Sequence, residues 1–392
     1  MKEYKLSKGW AWFIYIMAPL LAAVFIYLLV MPFLPDTKSS GTDQLKWFLV
    51  PISLLMIGVC VAGVIDAVKG RFVITQDSVY AKGVFTNREL LLHEIEGYRT
   101  DDRYIYIVPF DKSLKQIKVS TYFSGTGDIL AWLSERFPDL DEQKAAAEEA
   151  EILSDETLGM GVEEREEQLR KARLKAKALN WAGGLVAAWT WFLPQPYEVV
   201  IFLCILLPII CLLLVKSSKG LIRMEEKKKS AYPSVFSGVL FPSLALCIRA
   251  LMDFNLLQYG NVWKGTLMLA GLFMTVLLVR SKEFTFRSAK DYGLAFGITI
   301  LVLAYSFGAV VTANCTWDNS TTSVYHAQVT GKHISSGKTT TYYVSLTPWG
   351  PQTKEDDVSV SKALYNRLQA KDDVSVYFRQ GWFGISWFFI TP

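Results

Sequence analysis

The feature that most constrains this chain is a set of apolar runs long enough to cross a bilayer. From Trp10 to Phe33 there is no charged residue, and a helix needs about 20 mostly apolar residues to traverse the hydrocarbon layer. Runs of this kind recur, and they predict seven spans, at 10–33, 47–65, 181–194, 197–215, 233–252, 265–280 and 292–311. The stretch 181–215 is too long for one crossing and is interrupted by Pro194-Gln195-Pro196, so it reads as two helices joined by a tight turn. The spans 181–194 and 265–280 are the short ones. The first run is longer than the apolar part of a signal peptide and lacks a small-x-small cleavage site before Pro35, so it reads as a retained anchor.

Basic loop residues are held on the cytoplasmic side of a membrane, so their positions predict orientation. Lys2, Lys5 and Lys8 precede the first span; Arg170, Lys171, Arg173, Lys175 and Lys177 precede the third. Lys216, Lys219, Arg223 and Lys227 to Lys229 follow the fourth, and Arg280, Lys282, Arg287 and Lys290 follow the sixth. The alternate loops carry Lys38, Lys46 and Lys264. The expectation is a multi-pass membrane protein with its N-terminus cytoplasmic and its C-terminal domain extracytoplasmic.

Between these spans lie three polar segments. Residues 67–138 follow the two spans of residues 1–66 and read as a β-rich cytoplasmic domain. Phe72-Val-Ile-Thr, Ser78-Val-Tyr-Ala, Tyr104-Ile-Tyr-Ile-Val and Gln116-Ile-Lys-Val-Ser have strand composition, and an amphipathic helix opens at Thr126. Residues 139–180 form a charged helical connector in which twelve acidic residues precede the five basic ones, with a break at Gly159 and Gly161. The basic end, Arg170, Lys171, Arg173, Lys175 and Lys177, is the candidate lipid-contact site: it reads either as attraction to anionic headgroups or as a topology signal in a helix entering the next span. After the five spans of residues 181–312, residues 313–392 read as a small extracytoplasmic β-barrel or sandwich with one helix, capped by Ser359 or Ser361.

Two of these segments carry resemblances. The Leu90-Leu-Leu-His-Glu-Ile-Glu-Gly-Tyr segment, the Tyr-Ile-Tyr-Ile-Val strand and the closing helix with Trp132 resemble bacterial pleckstrin-homology-like domains attached to membrane spans. That resemblance implies a scaffold for protein contact or oligomerisation. It does not extend to phosphoinositide binding, because Lys69, Arg71, Lys82 and Arg88 are dispersed and make no tight basic loop. The string Tyr342-Tyr-Val-Ser-Leu-Thr-Pro-Trp-Gly-Pro, with Val-Ser-Lys-Ala-Leu-Tyr and Gly384-Ile-x-Trp, is similar to the tail domain of a group of uncharacterised bacterial multi-span membrane proteins. The aromatic residues Trp349, Trp382, Phe383, Trp387, Phe388 and Phe389 there read as core, with an interfacial belt, or as a ligand or lipid face.

Chemistry leaves little trace. With 41 basic and 37 acidic residues the net charge is +4, which disfavours a nucleic-acid partner. Five cysteines include no C-x-x-C pair, and there are three histidines: His93 beside Glu94 and near Glu96 at a strand edge, and His326 and His333 in the tail. No phosphate-binding, dinucleotide, zincin or nucleophile-elbow string occurs. The spans are nearly free of ionisable groups, Arg249 lying one turn from the end of its span where it snorkels or pairs with Asp253. Gly183-Gly184, Pro208 and Pro242 either tighten or kink the bundle. Asn314-Cys-Thr and Asn319-Ser-Thr match the glycosylation acceptor pattern, and Cys315 is a candidate for an intermolecular disulfide. The expected function is a non-enzymatic scaffold for interaction or assembly across the membrane, without cofactor or metal, its partners being the bilayer and a protein or a second copy. The alternative is a small-solute transporter or channel built by the later spans.

Overall fold

A computed structural model describes residues 1–392 except 34–41, 85–86, 280, 282, 285 and 337–339; of 42–45 and 336 it describes the backbone alone. Pro35, Lys38, Arg280 and Lys282, which entered the reading of the loops, lie outside the described residues. Among the described residues six helices are long and apolar enough to cross a membrane: Lys8–Phe33, Lys46–Lys69, Tyr197–Ser217, Phe236–Asp253, Gly260–Leu278 and Ala289–Thr316. The chain forms two compact units, Met1–Ala147 and Glu148–Pro392.

In the first unit, β1 (Lys2–Lys5) leads into α1 (Lys8–Val30), and α2 (Thr42–Lys69) leads into β2 (Arg71–Ile74). β1 pairs antiparallel with β2, Tyr4 opposite Phe72, so the two helices are a hairpin whose ends share one sheet edge. β1 escapes a reading by composition because three of its four residues are charged, and only Tyr4 turns inward. β3 (Ser78–Lys82) and β4 (Asn87–Leu91) complete a sheet of order β1-β2-β3-β4; β5 (Ile95–Thr100), β6 (Tyr104–Pro109) and β7 (Ile117–Ser120) make a second. Both sheets share a core of Phe72, Val79, Leu90, Ile105 and Ile117, into which α3 (Thr126–Arg136) inserts Ile129 and Leu133, four residues apart on one face. α4 (Leu140–Ser154) begins in this unit. No residue of α1 is buried, and Trp12, Leu20, Val24 and Tyr27 point outward, a surface that hydrocarbon solvates better than water.

The second unit is a five-helix bundle joined to a β-barrel: α5 (Val162–Phe192), α6 (Tyr197–Ser217), α7 (Phe236–Asp253), β8 (Asn255–Leu256), α8 (Gly260–Leu278) and α9 (Ala289–Thr316) precede the tail. The expected span 181–194 is the apolar end of α5, a 31-residue helix whose first half is charged; that half keeps it from standing beside the other six as an apolar helix. α7 is central. On one side a Cβ added at Gly183 of α5 would lie 2.8 Å from the Gly238 Cα of α7, and on the other a Cβ at Gly308 of α9 would lie 2.6 Å from the backbone of Leu246 and Cys247. Glycine is what lets these backbones touch. Pro242 has no N–H to give the Gly238 carbonyl, and Asn180 of α5 strengthens the same contact, accepting from Gly238 N–H (2.8 Å) and donating to the Ser234 carbonyl (2.7 Å).

The tail consists of β9 (Ser323–Ser336), β10 (Thr340–Leu346), β11 (Asp356–Val360), α10 (Lys362–Arg367), β12 (Asp373–Arg379) and β13 (Trp387–Thr391). The expected turn at Ser335-Ser-Gly-Lys falls partly outside the described residues. Ser361 caps α10, its Oγ accepting from Leu364 N–H (3.2 Å). The 14-residue β9 pairs with β12 over its first half and β10 over its second. The sheet runs β11-β10-β9-β12-β13-β8. Asn255 of β8, at one edge, reaches the Ser359 carbonyl of β11 at the other (3.4 Å), so the sheet is a nearly closed barrel around Val344, Val374, Val376 and Phe388. Its last strand, β8, comes from the loop between two bundle helices and is two residues long, too short for periodicity to reveal.

Alanine in place of a helical glycine ordinarily stabilises by roughly 0.5–1 kcal/mol. Here Gly183→Ala should cost about 1–3 kcal/mol by overpacking, whereas Gly184→Ala, which meets no atom within 4 Å, should be neutral or stabilising. Thermal unfolding of the detergent-solubilised variants checks the sign of each.

Candidate functional site

Polar side chains concentrate at the two ends of the bundle. At the end that carries the tail, Arg249 of α7 donates to the Thr190 carbonyl from Nε (3.0 Å) and Nη2 (2.6 Å) and to the Trp191 carbonyl (3.1 Å). A cation is thereby set against the carbonyl end of α5, where the helix dipole favours it. Arg249 also pairs with Asp253 (3.3 Å), which accepts from the Tyr197 hydroxyl (2.8 Å). One charge cluster thus ties the C-terminus of α5, the N-terminus of α6 and the C-terminus of α7.

The tail is fastened to α9 by two residues. Asn314 in the last turn donates to the Ile385 carbonyl (2.8 Å) and accepts from Phe383 N–H (2.9 Å). Gly381 is left-handed (φ +78°) and a Cβ there would collide with Asn314 at 2.3 Å, so this loop requires glycine. Asp318 accepts from the Trp387 indole (2.7 Å), Gly381 N–H (3.1 Å) and Ser320 N–H (2.8 Å). Burial alone would raise its carboxyl pKa, but the hydrogen bonds from Ser320, Trp387 and Gly381 outweigh burial and hold it below the ordinary carboxylate range.

Asn314 is therefore a buried fastening residue and not a glycosylation acceptor. Cys315 is likewise buried, which removes it from intermolecular disulfide exchange; no fully enclosed thiol can meet a partner's. The six aromatic residues divide: Trp349, Trp387 and Phe388 are core, whereas Trp382, Phe383 and Phe389 are exposed, the first two stacked on each other at 4.8 Å between centroids and Phe389 stacked on Tyr377 at 5.0 Å.

Beside the barrel lies a cleft of about 820 Å³. One wall is the edge pair β10 and β11, with Tyr342, Tyr343, Asp356 and Asp357; the other is the exit of α7 with Met252 and Tyr259. Among the described residues no lysine or arginine lines it. His333 stacks on Tyr343 (5.0 Å, 11°), and its Nε2 is 3.9 Å from Asp357. Reading by composition missed this cleft because its walls come from segments a hundred residues apart.

The opposite end of the bundle holds the connector and the loops after α6 and α8. Glu283 accepts from the N–H groups of Met224 (2.9 Å) and Glu225 (2.6 Å), and the Arg223 guanidinium lies over the Tyr232 ring at 3.4 Å. Burial pushes the Glu283 carboxyl up despite those two donors. All five expected lipid-contact residues sit on α5 and are exposed. Lys171 pairs with Glu167 (2.9 Å) and Arg173 with Glu149 (3.4 Å). Lys171 and Lys175 line a cleft of about 560 Å³; Arg170, Arg173 and Lys177 do not. Its third lysine, Lys219, comes from the turn after α6. Among the described residues no group of three His, Cys, Asp or Glu side chains is placed to hold a metal; His93 lies in a 3-10 turn, Leu92–Glu94, where Glu94 accepts from Leu91 N–H (2.8 Å).

No protein-family model, curated protein or solved structure matches the chain.

Because its folded pKa is depressed, Asp318 contributes stability in full above its unfolded pKa, about 3.9, and loses it as the pH falls through the folded value. The protection of residues 380–387 against hydrogen exchange, relative to an unfolded chain at the same pH, should therefore fall at acid pH in the wild type. Asp318→Asn, which turns a donor toward donors, should show reduced protection at all pH values, at a cost of roughly 1–3 kcal/mol.

Proposed function

We propose that this protein is a non-enzymatic scaffold of a bacterial cytoplasmic membrane, which holds a pleckstrin-homology-like domain on one side and presents the tail barrel to a partner on the other. One observation carries the reading: the barrel takes its last strand from the loop between α7 and α8 and is pinned to α9 through Asn314 and Asp318. A barrel fixed in this way holds its tyrosine-rich cleft steady relative to the membrane, and pre-organised, aromatic surfaces suit recognition.

Two seven-membered counts support the finer assignments. Seven strands in two sheets plugged by α3 fit a pleckstrin-homology-like domain. Counting the apolar end of α5 as a crossing gives seven spans. α5 packs along α6 and α7, and its end is tied beside the N-terminus of α6 by the Arg249 cluster. The α1–α2 hairpin returns to its own sheet, and in the bundle Lys216, Lys219, Arg223, Arg287 and Lys290 gather at the connector end. That distribution favours a cytoplasmic connector end and an extracytoplasmic tail. The rival, a small-solute transporter, is less well supported, since Arg249 in the bundle is committed to the carbonyls of α5.

Reporter fusions after Met252, after Arg280 and at Pro392 should read outside, inside and outside; an inside signal at Pro392 removes a span from the topology. A photocrosslinking residue at Tyr342 should give a discrete adduct in membranes and one at Asn319 should not. Absence of any adduct, together with substrate-dependent flux in proteoliposomes, would overturn the scaffold in favour of transport.

A further inference from the structure

The basic cleft at the connector end of the bundle has the position and chemistry of a lipid site. α6 is 21 residues long, which at about 1.5 Å per residue matches the roughly 30 Å hydrocarbon layer. Its last turn therefore lies at the depth of the headgroups. The cleft opens at that turn. Leu214 and Leu221 are among its apolar walls, and Ser217 and Ser218 stand beside them.

Three lysines converge on it from two elements. Lys171 and Lys175 are one turn apart on α5 and so share a face. Lys219 sits in a left-handed turn (φ +55°) directly after α6, its Nζ donating to the Thr157 carbonyl (2.9 Å). A smaller neighbouring cleft shares Lys219 and adds Lys216 and Arg223. Among the described residues no carboxylate pairs with Lys175. The acidic residues that line the cleft lie away from the apolar end of α5: Glu164 comes about two turns before Lys171 and accepts from Met160 N–H (2.9 Å), and Glu156 stands in the turn before the helix. Lys171 shares its charge with Glu167 (2.9 Å) in an exposed pair one turn apart, of a kind worth little in water, and Lys175 is left open.

We propose that Lys171, Lys175 and Lys219 bind the phosphate of an anionic phospholipid headgroup, with the acyl chains descending past Leu214 along α6. Ammonium groups at the end of a span suit a lipid phosphate because the low-dielectric floor strengthens the attraction and the surface potential concentrates the lipid. The site is narrower than the basic run of α5 as a whole: Arg170, Arg173 and Lys177 do not line the cleft.

The test uses the full-length protein in detergent, with retained lipid counted by native mass spectrometry after addition of phosphatidylglycerol or phosphatidylcholine. The wild type should retain phosphatidylglycerol preferentially. The triple variant Lys171→Gln, Lys175→Gln, Lys219→Gln should retain it about a hundredfold less, and Lys175→Gln alone, which breaks no contact within the fold, about fivefold less. The pair Arg170→Gln, Lys177→Gln should bind as the wild type does. Equal retention of both lipids, undiminished binding by the triple variant or by Lys175→Gln, or an equal loss in the Arg170 and Lys177 pair would overturn the site. Binding of inorganic phosphate through the same three lysines without retention of phosphatidylglycerol would overturn the lipid as its occupant.

Discussion

The close approach of α7 to α5 on one side and α9 on the other is the contact on which the second unit depends. In a bilayer there is no hydrophobic gain from pressing apolar helices together, because lipid chains solvate them equally well. Association must come from packing and from polar groups that have nowhere else to bond. Gly183 against Gly238 and Gly308 against Leu246 supply the packing. Asn180 at one end of that line and Arg249 at the other supply the polar bonds. Every later element is placed by these contacts, since α7 emits β8 and α9 emits the tail.

The barrel in turn is a product of the bundle. Its sixth strand is a pair of residues, Asn255 and Leu256, that only the end of α7 delivers to Trp387 and Phe388. Its β12–β13 loop is folded around an asparagine that belongs to a membrane helix. The tail is therefore mounted and not tethered, and a mounted cleft loses less conformational entropy on binding than a tethered one. At the other end the loops after α6 and α8 are bound to each other through Glu283, which keeps the turn carrying Lys219 beside α5.

Much of the architecture is legible from residue order. The apolar runs locate the helices because the bilayer demands length and hydrophobicity and little else. Strands such as Tyr104–Pro109 and Asp373–Arg379 announce themselves by alternation. β1 and β8 do not: one is a charged edge strand and the other a two-residue addition, and each is a strand only because a distant partner pairs with it. Of the basic run on α5, composition singles out five residues as equivalent. Position on the cleft separates Lys171 and Lys175 from the rest, and the third lysine of the cleft lies more than forty positions away.

Asn314 and Cys315 show the same division. By pattern they are an acceptor site and an exposed thiol just beyond a span; in the fold α9 continues through them to Thr316, and both are enclosed. The sequence by itself determined that this chain is built around helices long and apolar enough to cross a membrane, with β-rich segments between and after them, because those properties follow from local hydrophobicity and backbone preference. Tertiary structure alone decided which polar residues fasten helices and which line clefts. Those roles depend on what lies within about 3 Å of each side chain, the reach of a hydrogen bond, and such neighbours come from parts of the chain that no local pattern connects.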